Sequence, residues 1–148
     1  MEINTASEAI SFSRKLEDEG AQFYQALARG HTQGKEVFLS FAKENAKNVA
    51  QIRRAYYGVI SDAIEACFSF GGIDTDDYSI DTGLPKDISY CDALRAAVAI
   101  EEKTVSFYSE AGEVSKSLMA DVPRAFGIIV KKRDERINRL RALLKEDK

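Results

Sequence analysis

Two glutamates and two spaced pairs of polar side chains hold what chemistry this chain can do. Glu17, in "LEDEGAQFYQALA", and Glu101, in "IEEKTVSFYSEAG", each stand seven residues before the tyrosine of a Phe-Tyr pair. Asn45 and Asn48, in "FAKENAKNV", are three residues apart, as are Arg133 and Arg136 in "KKRDERINR". On a helix, a spacing of three keeps both side chains on one face. Two carboxylates brought together can ligate a cation, or work as acid and base where burial moves a pKa. Guanidinium groups cannot deprotonate to bind metal, but they neutralise carboxylates through a fixed fork of N–H donors. Carboxamides donate and accept, and can complete such a network.

The elements that must carry these groups follow from hydrophobic periodicity. Phe126, Ile129, Val130, Ile137, Leu140 and Leu144 recur at helical spacing; Arg133 falls in the centre of that stripe and Arg136 on its edge. On the first helix Ile10, Ser13, Gly20, Ala21, Tyr24 and Leu27 share a face with Glu17. Leu94, Ala97, Val98, Val105 and Tyr108 do so with Glu101 on the third. The second helix turns Phe38, Phe41, Val49 and Ile52 inward around Asn45, with Asn48 beside it. One long charged side chain at a stripe edge commonly snorkels to water. Four helices, each with its most polar inward residue near the middle, point instead to an interior polar layer.

An internal repeat puts these residues at equivalent positions. "RKLEDEGAQFYQALA" (14–28) aligns with "VAIEEKTVSFYSEAG" (98–112), pairing Glu17 with Glu101, Phe23 with Phe107 and Tyr24 with Tyr108. "FLSFAKENAKNVAQI" (38–52) aligns with "FGIIVKKRDERINRL" (126–140), pairing Phe38 with Phe126, Asn45 with Arg133, Asn48 with Arg136 and Val49 with Ile137. Each half is therefore two helices. The spacing predicts helix 1 over 7–29 with Thr5 or Ser7 as cap, and a tight "GHTQG" turn. Helix 2 runs from about Lys35 past Tyr57 to a break near Ser61-Asp62. Helix 3 covers about 91–114, and helix 4 about 122–145. Residues 69–87 form the one long polar connection, of a length to cross from one end of a bundle to the other. The expected fold is all-α: a four-helix bundle with a long crossover between helices 2 and 3, one domain over 1–148.

The totals narrow the function classes. A net charge of −3 over 148 residues opposes broad binding to nucleic acid or a membrane surface, although the stretch from Lys131 onward is locally basic. No apolar run reaches membrane-span length. The first residues lack the basic start and apolar middle of a signal peptide, and the expected location is cytoplasmic. Two cysteines, Cys67 and Cys91, make neither a disulfide framework nor a CxxC metal site, and are expected as reduced thiols.

Over nearly its whole length the chain resembles the rubrerythrin-like branch of the ferritin-like, carboxylate di-iron superfamily. The resemblance is carried by the two glutamate-to-Phe-Tyr segments, whose glutamates it maps onto family iron ligands. It implies a Glu-x-x-His pair on helices 2 and 4; these positions hold Asn45-x-x-Asn48 and Arg133-x-x-Arg136, so both motifs are lost. Of six ligand positions, Glu17 and Glu101 keep a carboxylate, and these two would be the metal ligands if any metal binds. The only histidine, His31, lies in the first turn, and two cysteines cannot build the four-cysteine iron site common in the family.

Three expectations follow. The first is a non-catalytic bundle in which Arg133, helped by Arg136, replaces the irons as the positive centre. It carries no cofactor and has a structural, binding or regulatory role, as a homodimer or with a protein partner. Tyr56, Tyr57, Phe68 and Phe70 would line its interface or fill its core. The second is a rubrerythrin-type di-iron or other metal oxidoreductase with substitute ligands among Glu17, Glu101, Glu44, Asp134, Glu135 and His31; Glu44 and Glu135 lie off the buried stripe, and Asp134 well away from its centre. The third is metal-free acid–base catalysis by one carboxylate, without any recognisable nucleophile or phosphate loop.

Overall fold

The computed structural model describes residues 2–59, 72–116 and 121–146. Thr5 sets where the first helix begins. Its side chain accepts from the Glu8 amide at 3.1 Å, while the Glu8 carboxylate accepts from the Thr5 hydroxyl and the Asn4 amide, close to a capping box. From there α1 runs over Ala6–Gly30, about 37 Å at the usual rise. The turn that follows needs Gly34. Its φ is +74°, and a Cβ there would sit 2.6 Å from the Tyr90 hydroxyl. Helix α2 covers Lys35–Val59 and returns antiparallel beside α1. The expected break at Ser61-Asp62 lies outside the described residues.

Helix α3, Tyr90–Ser115, starts at the Ser89 cap, whose hydroxyl accepts from the Asp92 amide at 3.1 Å, and α4 covers Asp121–Glu146. Each helix packs mainly on its own hairpin partner, α1 with α2 and α3 with α4. The hairpins then meet through α2 against α4 and α1 against α3. No helix among the described residues is long and apolar enough to cross a membrane.

The long connection, whose conformation the sequence leaves open, carries a short strand among its described residues. Glu2–Ile3 (β1) pairs antiparallel with Ile73–Asp74 (β2) in the register Glu2↔Asp74 and Ile3↔Ile73. A 3₁₀ turn, Thr75–Asp77, follows at once. Two residues are too few for periodicity to register. Both isoleucines are nonetheless buried in the core, and Tyr78 beyond them sets its ring edge-on to Phe107 at 5.6 Å. The connection is thereby fastened along the bundle.

Among the described residues the core falls into two apolar clusters. One gathers Phe12, Leu16, Ile52, Tyr56, Phe107, Tyr108, Phe126 and Ile129; the other gathers Phe23, Tyr24, Leu27, Phe38, Ala97, Ile100 and Leu140. Tyr56, expected at an interface or in the core, is in the core at 8% exposure. The side chains of Tyr57, Phe68, Phe70 and Cys67 lie outside the described residues. The buried arcs are wider than single stripes, because each helix touches two neighbours. Phe12, Leu16, Phe23 and Phe107 are buried as well, while Ile10, Ala21, Val49, Val98 and Val105 are only half-buried at the arc edges.

A buried arginine–glutamate layer as candidate functional site

Between the two apolar clusters every helix contributes a polar side chain. Glu17 (α1), Asn48 (α2) and Glu101 (α3) are 0% exposed, Asn45 and Arg133 1%, and Arg136 2%. All six positions singled out in the sequence thus meet at one level of the bundle. Water cannot solvate charges there, so each must be paired to be tolerated.

Arg133 does the pairing. Its Nη1 donates to both oxygens of Glu101, at 2.5 and 2.6 Å, and its Nη2 donates to Oε2 of Glu17. One guanidinium therefore bridges carboxylates from α1 and α3. Glu17 collects two more donors: the Tyr108 hydroxyl reaches Oε2 at 2.8 Å, and Asn48 Nδ2 reaches Oε1 at 2.9 Å. Asn45 Nδ2 donates to the main-chain carbonyl of Glu17 at 3.0 Å. That approach needs Gly20, where a Cβ would stand 2.8 Å from the same nitrogen.

Arg136 fills the outer end of the layer. It donates to Glu44 Oε1 at 2.9 Å, to the Phe41 carbonyl at 3.0 Å and, at 3.4 Å, to Glu101 Oε1. Its guanidinium carbon lies 4.9 Å from the Phe41 ring centroid, a cation–π contact. Three carboxylates face two guanidiniums; the third, on Glu44, is 34% exposed and keeps part of its hydration. Glu44 stands closer to the layer than the sequence suggests, because its side chain reaches inward from the stripe edge. Asp134 and Glu135 are exposed, and the His31 ring sits in the α1–α2 turn, 5.8 Å from the Tyr90 ring. Of the substitute ligands other than Glu17 and Glu101, only Glu44 reaches the layer, and it is bound to Arg136.

The pairing shows in the proton affinities. Burial alone would lower the Arg133 pKa, but Glu101 and Glu17 more than offset it and hold the guanidinium above its ordinary value. Burial first, and then the Glu17 charge, push the Tyr108 hydroxyl well above its usual range. Burial and Glu101 do the same for Tyr24, whose hydroxyl makes no well-formed hydrogen bond. Both tyrosines belong to this layer, although their stripes read as plain core. Their signal was available: each stands two turns after its glutamate on the same face, and a buried phenol seeks a partner.

The repeat is visible in three dimensions. Asn48 serves Glu17 of its own hairpin, and the equivalent Arg136 serves Glu101 of its own. Arg133 and Tyr108 cross between hairpins. No family model and no curated protein matches this sequence. Among solved structures, the chain is similar to a Thermotoga maritima protein described as a ferritin-like diiron-carboxylate protein. The TM-score is 0.76 over 97% of each chain, at 20% identity. The fold is ferritin-like.

Within this ferritin-like bundle, the ligand-type side chains of the layer are Glu17, Glu101 and Glu44, all engaged by arginine. Among the described residues no cluster of three or more His, Cys, Asp or Glu side chains is placed to hold a metal ion.

Proposed function

We propose that this is a ferritin-like bundle whose interior layer does not fit the pair of irons that the resemblance implies. A Glu/Arg/Asn network stands in their place, and its role is structural, binding or regulatory rather than catalytic. The observation that carries this is the single guanidinium of Arg133 bridging Glu17 and Glu101. Two irons need several anionic or imidazole donors to balance their charge. Here the four remaining positions offer two neutral carboxamides and two permanent cations. Both oxygens of Glu17 also accept from hydrogens aimed at them by Tyr108 and Asn48. A metal at that place would face those hydrogens and a fixed positive charge.

Catalysis by the carboxylates alone has little support. Glu17 and Glu101 are fully buried and spent on arginine, so neither can touch a substrate. The name "diiron-carboxylate" belongs to the T. maritima protein; in this chain Glu17, Asn45, Asn48, Glu101, Arg133 and Arg136 are relic positions of such a site.

The test is metal content. The protein is expressed with iron, manganese and zinc supplied, purified without chelator, and assayed by plasma mass spectrometry. Substoichiometric metal is expected; two metals per chain would overturn the proposal and favour a di-iron oxidoreductase. Restoring Glu and His together, as Asn45→Glu, Asn48→His, Arg133→Glu and Arg136→His, should bring metal binding back.

A further inference from the structure

Glu17 and Glu101 meet their cation through directional contacts as well as through charge. Nη1 of Arg133 spans both oxygens of Glu101 while Nη2 takes one oxygen of Glu17, so the two acids are disposed around a flat two-pronged donor. A spherical cation has no such prongs. The remaining approaches to Glu17 are closed by the Asn48 amide at 2.9 Å and the Tyr108 hydroxyl at 2.8 Å, which fix the carboxylate plane. The Nε of Arg133, by contrast, is buried and makes no hydrogen bond among the described residues. The head group is therefore held through its two terminal nitrogens alone, and the link to its own stem adds no polar contact.

Resting on the proposal that Arg133 occupies the old metal position, we infer that the Glu17–Glu101 layer is a binding cradle for a planar guanidinium cation, with the chain's own Arg133 head group as resident occupant. A free guanidinium ion presents the same edge to the same carboxylates. The cradle should thus accept one when the resident head is removed, and should prefer it to ammonium or to a divalent metal.

The experiment is rescue of Arg133→Ala. Its Tm should fall by about 6–20 °C, the size expected for a lost buried ion pair in a chain of this length. Millimolar guanidinium or methylguanidinium chloride, at ionic strength held constant with sodium chloride, should raise the variant's Tm saturably by about 2 °C or more and leave the unsubstituted protein unmoved. Equal rescue by ammonium, or stronger rescue by Mn²⁺ or Zn²⁺, would overturn the cradle while leaving the metal-free proposal to its own metal assay. An Arg133→Ala variant as stable as the parent would sink both. Arg133→Lys covers the case in which the alanine variant does not fold. It keeps the charge without the fork and should also lose several degrees; a lysine variant matching the parent would refute shape selection.

Discussion

Arg133→Met removes the guanidinium and keeps most of the apolar stem, so its effect isolates the head group. Both carboxylates it bridges are 0% exposed and the arginine 1%, which leaves them no water to turn to. Breaking one partner out of a buried ion pair typically costs about 3–5 kcal/mol. Three charge-assisted contacts are lost here, and Arg136 can reclaim little, because it stands 3.4 Å from Glu101 and is already engaged by Glu44. The expected loss is about 4 kcal/mol, a large part of the roughly 5–15 kcal/mol a domain of this kind has. Urea unfolding followed by circular dichroism would measure it, with an unchanged slope showing that the native state stays compact. The triple variant Glu17→Gln, Glu101→Gln, Arg133→Met discharges the stranded acids and should recover at least about 2 kcal/mol of the loss. A single-variant loss under about 1 kcal/mol, or a triple variant no better than the single, would refute the reasoning.

Gly20→Ala should destabilise by about 1–3 kcal/mol in thermal unfolding, because the added methyl meets Asn45 Nδ2 at 2.8 Å; alanine's better helix propensity alone would predict a gain. Burial, and then the charges of Glu101 and Glu17, hold the Tyr24 and Tyr108 phenols well above the ordinary tyrosine value of 10.0, so the folded state keeps phenol protons that the unfolded chain releases. Their contribution is fully present below pH 10.0 and lost as pH rises towards the folded values; Tyr108→Phe should flatten the fall in unfolding free energy above pH 10.0, and an unchanged slope would contradict the assignment. Thr5→Ala should cost about 1 kcal/mol and fray the first turn of α1 in amide exchange, since it deletes the cap bond to Glu8. Glu44→Gln should cost no more than about 1 kcal/mol, because that acid is a third exposed and its pairing with Arg136 is screened.

The level of the polar layer is legible in the sequence because a charged residue in mid-stripe has few explanations, and a repeat that places one on each helix leaves fewer. The helix limits come within a few residues for similar reasons: Thr5 and Ser89 are cap types, and Gly34 is the residue a left-handed turn requires. Other features leave no such trace. Tyr24 and Tyr108 satisfy an apolar stripe whether or not the hydroxyl is used, so periodicity cannot distinguish core filling from bonding to a carboxylate. Glu44 sits off the stripe by angle, and only the length of its side chain brings it to Arg136. The need for Gly20 arises from Asn45 on another helix, a tertiary contact that no local pattern encodes. The Ile3–Ile73 pairing is two residues long and joins segments 70 positions apart, beyond any periodic signal.

The division of the core into two greasy halves by a charged floor has a mechanical consequence. In a uniform apolar interior, one hairpin could slide past the other by a turn, about 5.4 Å, and still find oil on every side. Here such a slip would carry the Arg133 head, together with Glu101 of its own hairpin, off Glu17 and against the apolar Phe12 or Phe23 side of the other hairpin, and strip Glu17 of its counter-charge. The pin admits one alignment of the rods, and the two hairpins can dock in a single register.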